Sequence, residues 1–592
     1  MPRAPLDRWA YDDPMFPHSP ISRLSVSTTI AALLAGCSSC GPPTEPGTPS
    51  KGTVIRKAFE FPEVTDPDPP DEGRPILSRA AAFVPADATF VVVFRSWREA
   101  VESLNLRSVL ETPGGRAVLE TGRIPGLPLA DLPGLERFGM DVDQSLVVAV
   151  LPGDVVMAVA ASRDPGALAA FVGQAGGAHG RAATPTTLQG REARVFETEA
   201  ARVTTILHPA HLQVVISTLE TPGEVIDNQL QAAFDGAPIW VQRARALPTP
   251  RTASVVLWTS GSGSALSPDT APADASTTPF LSASEWTRHT TETAAALSIT
   301  GDEVRLDLTS RIVDEPALRA RFAESESPDR LMAMLPSGPS FAAGTRLSRN
   351  DLEGMAAVVD SLHPLRATRA HDTLGSALVA HLRGRAYTDG AQLRSVAFAR
   401  YTGSAPPGAT GGGSLLIVDA GLPAGAEPTV PDLLRSIGSA VGSPPPDVVA
   451  DACKGLPCWR LLTPSITCAE SAPLLVCAFG EAPIGAALEL AREPHSIPAR
   501  GAEDVALSRL HGEVAATQLP AEVPTTSAKR HAVVEALLAA AAQDVRTVTS
   551  TANVGAGLAR VVVVLQGFGR PILPALLPRL GEAFAQVPPP LE

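Results

Sequence analysis

A stretch near the start of the chain returns in register near its middle, and that repetition restricts the available folds more than any other feature. Phe83-Val84-Pro85 through Leu104 aligns without gaps on Met334-Leu335-Pro336 through Met355. Identities fall at Pro85/Pro336, Phe90/Phe341, Arg95/Arg346, Arg98/Arg349 and Glu102/Glu353, while Val101/Leu352 and Leu104/Met355 keep their apolar character. Each copy reads as a proline turn, a strand and an amphipathic helix. Later landmarks recur in the same order. Residues 145–161 read as two apolar strands around Pro152-Gly153-Asp154, matched by 395–401 with 414–419. Residues 212–222 align with 473–483, sharing Glu220/Glu481 and Pro222/Pro483. Residues 294–311 and 547–566 each read as paired strands, followed by helices over 315–324 and 571–585. These matches predict a tandem duplication, with 75–327 and 328–592 as the copies. Strands that follow one another through hairpins, with helices interspersed, predict an α+β fold: two tandem similar halves, each an antiparallel sheet with packed helices. Two copies further predict packing about a pseudo-twofold axis, with a groove or interface between them.

Ahead of the body, residues 23–37 read RLSVSTTIAALLAGC. A positive charge at Arg23, an uncharged apolar run to Leu34 and small residues before a cysteine form a signal-peptide layout, too short to span a bilayer. Leu34-Ala35-Gly36-Cys37 resembles the lipobox of bacterial lipoproteins. That resemblance implies removal of residues 1–36 and a diacylglyceryl group on the Cys37 thiol. Asp12 and Asp13 precede the positive charge and fit a signal poorly, so Met15 is an alternative start. Ser38, rather than Asp, implies by the same resemblance sorting to the outer membrane, on its periplasmic or surface face. No second apolar run of spanning length occurs, so the lipid is the expected membrane attachment. Residues 38–74 are rich in Pro, Gly, Asp and Glu, including Asp66-Pro67-Asp68-Pro69-Pro70-Asp71. With Cys37 they read as a lipidated, disordered tether. A polar insert at 261–278 reads as a loop.

The net charge of −14 disfavours nucleic acid, which calls for a basic surface. Of six cysteines, Cys37 takes lipid and Cys40 lies in the tether, leaving Cys453, Cys458, Cys468 and Cys477. An exported chain meets an oxidising compartment. Cys468 and Cys477 sit at the ends of a hairpin and Cys453 and Cys458 bracket a turn, so neighbours are expected to pair, 453 with 458 and 468 with 477. A zinc site is the alternative, and the spacing lacks the C-x2-C pairs of a zinc ribbon. The aligned first copy carries Leu188, Ala193, Leu207 and Ile216 at these places, apolar positions that a disulfide staple can replace.

No motif assembles an active site. The glycines at 408–413 precede a strand and read as a hairpin tip, not a phosphate cradle. His208 and His211 flank Pro209-Ala210 and read as exposed turn histidines rather than metal ligands. Ser260, Ser262 and Ser264 lie in low-complexity sequence without a base, and His371 and His381 share one face of a predicted helix. Trp97 and Trp258 read as core residues. No catalytic residue, cofactor or metal is therefore expected.

Phe83-Val84-Pro85-Ala86-Asp87-Ala88, followed by a Val-rich strand, resembles the opening of a family of bacterial envelope proteins with an N-terminal lipid or membrane anchor and repeated α+β modules. The second copy departs from it at Ser337-Gly338. No activity is assigned to that family, so the resemblance implies architecture and location and transfers no functional residue. The sequence thus predicts a non-enzymatic, lipid-anchored envelope protein that binds or scaffolds, with the membrane and other envelope proteins as partners. The alternative is a carrier or sensor of an apolar ligand, held in a cavity in or between the halves.

Overall fold

The structure, a computed structural model, describes residues 58–62, 83–111, 131–177, 184–218, 242–260, 290–316, 327–346, 394–401, 413–421, 430–492, 505–514 and 541–578, short gaps within them aside. Among these residues strand outweighs helix by 51% to 23%. The first ten strands are β1 (Phe90–Phe94), β2 (Leu146–Leu151), β3 (Val155–Ala161), β4 (Thr184–Leu188), β5 (Arg191–Glu197), β6 (Arg202–His208), β7 (His211–Ser217), β8 (Val255–Ser260), β9 (Thr290–Thr300) and β10 (Glu303–Ile312). The next ten are β11 (Phe341–Arg346), β12 (Ser395–Tyr401), β13 (Gly413–Asp419), β14 (Asp447–Val448), β15 (Cys458–Leu461), β16 (Ile466–Ser471), β17 (Leu474–Gly480), β18 (Val505–Glu513), β19 (Val545–Gly555) and β20 (Leu558–Gly567). All pair antiparallel, forming one 20-stranded sheet.

Followed edge to edge, the pairings run β4-β5-β6-β7-β3-β2-β1-β8-β9-β10 and continue β20-β19-β18-β11-β12-β13-β17-β16-β15-β14. The second series is the first reversed, strand for equivalent strand. Its centre is the β10–β20 pair, where Asp307 faces Val562, the residue at its own equivalent position. Closing contacts on either side obey the same twofold relation. Ile312 donates its N–H to the Gly557 carbonyl at 2.8 Å, and Gly567 donates to that of Asp302 at 2.7 Å.

The expected α+β fold of two halves, each with its own sheet and packed helices, is corrected: the described residues are mostly β, one continuous antiparallel sheet with few helices. Hairpin-linked strands leave β10 and β20 each with one open edge, and those edges meet, so ladder hydrogen bonds join what was expected to face across a groove. The turn Gly301-Asp302 puts Glu303 in a hydrogen-bonded pair with Thr300. Alternation then aims the N–H groups of Val304, Leu306, Leu308 and Ser310 at β20. It leaves Asp307 and Val562 in a non-hydrogen-bonded pair, where side chains stand closest.

Period-two alternation gives each half of the sheet two apolar faces. On the front, Val91, Val147, Met157, Val215 and Trp258 form the core of the first half. Ala342, Ala399, Leu415, Ile417 and Val476 form that of the second, under Leu331 and Met332 of helix α5 (Pro328–Ala333). Gly344 permits that approach, because a Cβ there would lie 2.9 Å from Met332 Cγ. On the back, α1 (Trp97–Ser103), α2 (Leu106–Glu111), α3 (Leu132–Arg137) and α4 (Pro165–Gly177) cover the first half. Helix α6 (Val430–Val441) covers the second through Leu433, Leu434 and Ile437. Behind the seam, Ile572, Leu573 and Leu576 pack on Val304, Val548 and Val563.

The outer edges are blunted against strand addition. Pro185 in β4 has no N–H to offer, and β14 is two residues long and follows Pro444-Pro445-Pro446. The disordered tether expected over 38–74 also needs correction. Its residues 58–62 pack on the second half, where Ala58 bridges Pro336 and Phe59 donates its N–H to the Leu335 carbonyl at 2.8 Å. Phe59 and Phe61 supply the apolar surface that packs there.

Candidate functional site

At the seam the front face changes character. Odd residues of β10 bring Arg305, Asp307, Thr309 and Arg311 to the front, β19 adds Thr549 and Thr551, and β18 adds Arg509 and His511, through the register of paired strands. Asp307, Thr309, Thr551 and Arg509 are buried. Buried ionic groups require partners, and the local pattern supplies them. Arg305 grips Asp307 from two residues away on the same side of β10, with both oxygens at 2.8 Å. Arg509 spans from β18 to Asp329 in the first turn of α5, at 2.7 and 3.2 Å, and donates to the Ser508 and Ala552 carbonyls. Glu292 lies 3.3 Å from both Arg243 and Arg311. Each of these arginines thus has a carboxylate partner, Arg243 and Arg311 sharing Glu292, and the ion pairs lie on either side of the seam.

His511 sits where this stripe meets the second apolar core. Its Nδ1 is 2.8 Å from Thr549 Oγ1, and the Phe59 and Phe61 rings lie 6.2 and 6.5 Å from its own. Burial pushes its pKa below the ordinary histidine value, favouring the neutral ring.

Two further buried polar groups fasten the repeated proline turn, differently in each half. In the first, the Gln213 amide donates to the Phe83 carbonyl at 3.4 Å and lies 2.9 Å from His208 Nε2. In the second, the Tyr401 hydroxyl donates to the Pro336 carbonyl at 2.9 Å, and burial raises its pKa. His208 is therefore no exposed turn histidine. It is 2% exposed, its ring centroid is 4.2 Å from that of Phe83, and burial lowers its pKa against the opposing hydrogen bond with Gln213. The sequence offered a cue: Gln213 lies five positions after His208, across a tight hairpin turn that folds both onto one face.

Cys453 and Cys458 form one disulfide and Cys468 and Cys477 another, with Cα separations of 6.0 and 4.1 Å. The first lies in the front core and the second in the back core, so the four sulfurs do not converge on one metal. The strand register alters one part of the alignment. Cys458 matches Ala193 as expected, but Cys468 and Cys477 match Thr205 and Val214, two residues away from Leu207 and Ile216. Trp97 and Trp258 lie in cores as expected. Cys37, Cys40, Ser262, Ser264, His371, His381, the 261–278 insert and residues 408–412 lie outside the described residues.

Among the described residues, Glu99 at the start of α1 pairs a carboxylate with a serine hydroxyl. Burial pulls its pKa upward, while hydrogen bonds from Arg95 and Ser254 bring the net below the usual carboxylate value. An ionised carboxylate anchored by arginine orients Ser254 at 2.5 Å but is a weak base for activating it. Among the described residues no group of three metal-ligating side chains converges, and no helix is long and apolar enough to cross a membrane.

No family model and no curated protein matches the chain. Among solved structures, three crystal forms of TP0453 are similar at 11%, 13% and 12% identity. They cover 39–43% of this chain and 78–85% of theirs, with a TM-score of 0.24. A likeness of that size carries no argument about fold or function.

Proposed function

We propose that the chain is a lipid-anchored envelope protein, held through Cys37 at the outer membrane, whose body binds or scaffolds other envelope proteins without catalysing a reaction. The observation that carries this reading is the seating of residues 58–62 on the body, downstream of the lipobox-like LAGC, which joins the anchor region to the sheet. The ionisable groups add support, because Arg305, Arg509, Glu99 and His208 are each engaged by a partner that fixes the fold. The packed cores on both faces give less support to a carrier of apolar ligands.

Mass spectrometry of the chain from a didermal bacterium tests both parts of the proposal. The N-terminal peptide is expected to begin at Cys37 and carry diacylglyceryl, and an unmodified N terminus ahead of Cys37 contradicts anchoring. Native mass spectrometry of the body, purified without detergent, is expected to give the bare chain. A lipid-like adduct released on denaturation would replace scaffolding with carriage.

A further inference from the structure

Corresponding positions of the two halves show why residues 58–62 settle on only one of them. In the first half Trp258 faces Val91 on one side and Ala294 on the other. In the second the equivalent residue, His511, faces Ala342 and Thr549. Trp258 is 1% exposed within its front core. At the matched place Trp becomes His and Val becomes Ala, while Ala becomes Thr, so the second half has less side-chain volume of its own in a layer that packs closely. Phe59 and Phe61 pack there, against the second front core and beside His511. Period two places both rings on one side of an extended segment and leaves Glu60 between them exposed. The Phe59 N–H meets the Leu335 carbonyl, so recognition uses backbone as well as rings.

We propose that the surface bounded by Leu335, Pro336, Ala342 and His511 is a docking slot for an extended aromatic-x-aromatic segment, and that its occupant is residues 58–62 of this same chain. Docking ties the anchor to the second half of the sheet. This consequence rests on the anchored reading given above. From Cys37 to Ala58 the chain extends at most about 75 Å, whereas from Cys37 to Phe83 it extends about 165 Å. An occupied slot therefore holds the body within less than half the reach that the released segment allows.

Hydrogen exchange of the full chain, read on peptides covering 58–62, β11 and β18, tests the slot. The wild-type segment is expected to be protected at least about tenfold over free peptide, as a locally docked element should be. His511→Trp fills the slot as Trp258 does, and is expected to abolish that protection while β11 and β18 keep theirs. The double variant Phe59→Ala/Phe61→Ala is expected to do the same from the other side, and decides the matter should His511→Trp unfold the second half. Free-peptide exchange in the wild type overturns the slot, as does undiminished protection in both variants. The same sample, analysed for diacylglyceryl on Cys37, tests anchoring separately: a chain without lipid but with a protected segment loses the tethering consequence and keeps the slot.

Discussion

Trp258 and His511 occupy one place in two copies of the same strand order, and the contrast extends to their neighbours. Along the front face Val256 in β8 corresponds to Arg509 in β18, Ala294 and Ala296 in β9 to Thr549 and Thr551 in β19, and Asp307 in β10 to Val562 in β20. In the first half apolar packing reaches β9 at Ala294 and Ala296 and stops at β10. In the second it stops short of β18, and β20 resumes it at Val562. Identical pairing therefore coexists with inverted polarity, because backbone hydrogen bonds fix strand order and alternation alone sets which face a side chain joins. The polar stripe follows from the different residues at these matched positions.

Placing residues of one half in the other should break that contrast. The largest effect is expected from Val562→Asp, which sets a second carboxylate against Asp307 across a non-hydrogen-bonded pair. Denaturant unfolding should show a loss of about 3–5 kcal/mol, as for an uncompensated buried charge. Adding Asp307→Val moves the carboxylate to the other strand and should recover part of that loss. If Val562→Asp leaves the midpoint unchanged, the seam is not packed as described.

Arg509→Val, which installs the first-half residue, leaves Asp329 without its arginine and removes the side-chain donor to the Ser508 and Ala552 carbonyls. A cost of about 2–4 kcal/mol is expected in the same assay. Replacing Cys468 and Cys477 by the matched threonine and valine removes a short closed loop. The predicted loss is about 2.5 kcal/mol, confined to exchange protection in β15–β17. Ala556→Gly has the smallest effect and the opposite sign. Ala556 holds φ +50° in the turn where the first half has Gly301 at +60°, so relief of left-handed strain should stabilise the chain by about 0.5–1 kcal/mol, seen as a higher Tm.

Much of this comparison was legible in the sequence, because it rests on local patterns. The gapless match of Phe90 with Phe341 is the register found, with both phenylalanines at equivalent places between their neighbouring strands. The cysteine pairs follow from a turn and a hairpin. The β10–β20 union has no such local mark, since any strand edge carries the same N–H and C=O groups, and two separate sheets fit the pattern equally well. The β7/β17 alignment slipped two residues because Glu220/Glu481 and Pro222/Pro483 lie past the strands, where loop length drifts without disturbing pairing. Burial of His208 and docking of Phe59 and Phe61 depend on which distant core has room, and a single sequence does not display that.

Hydrogen exchange at the β10 amides tests the single continuous sheet most directly. The N–H groups of Val304, Leu306, Leu308 and Ser310 point at β20 and should exchange as slowly as those of β2 or β13, deep within each half. Exchange at the rate of the outward amide of Thr187 on edge strand β4 would mean that β10 ends a sheet, and that the two halves are not joined through it.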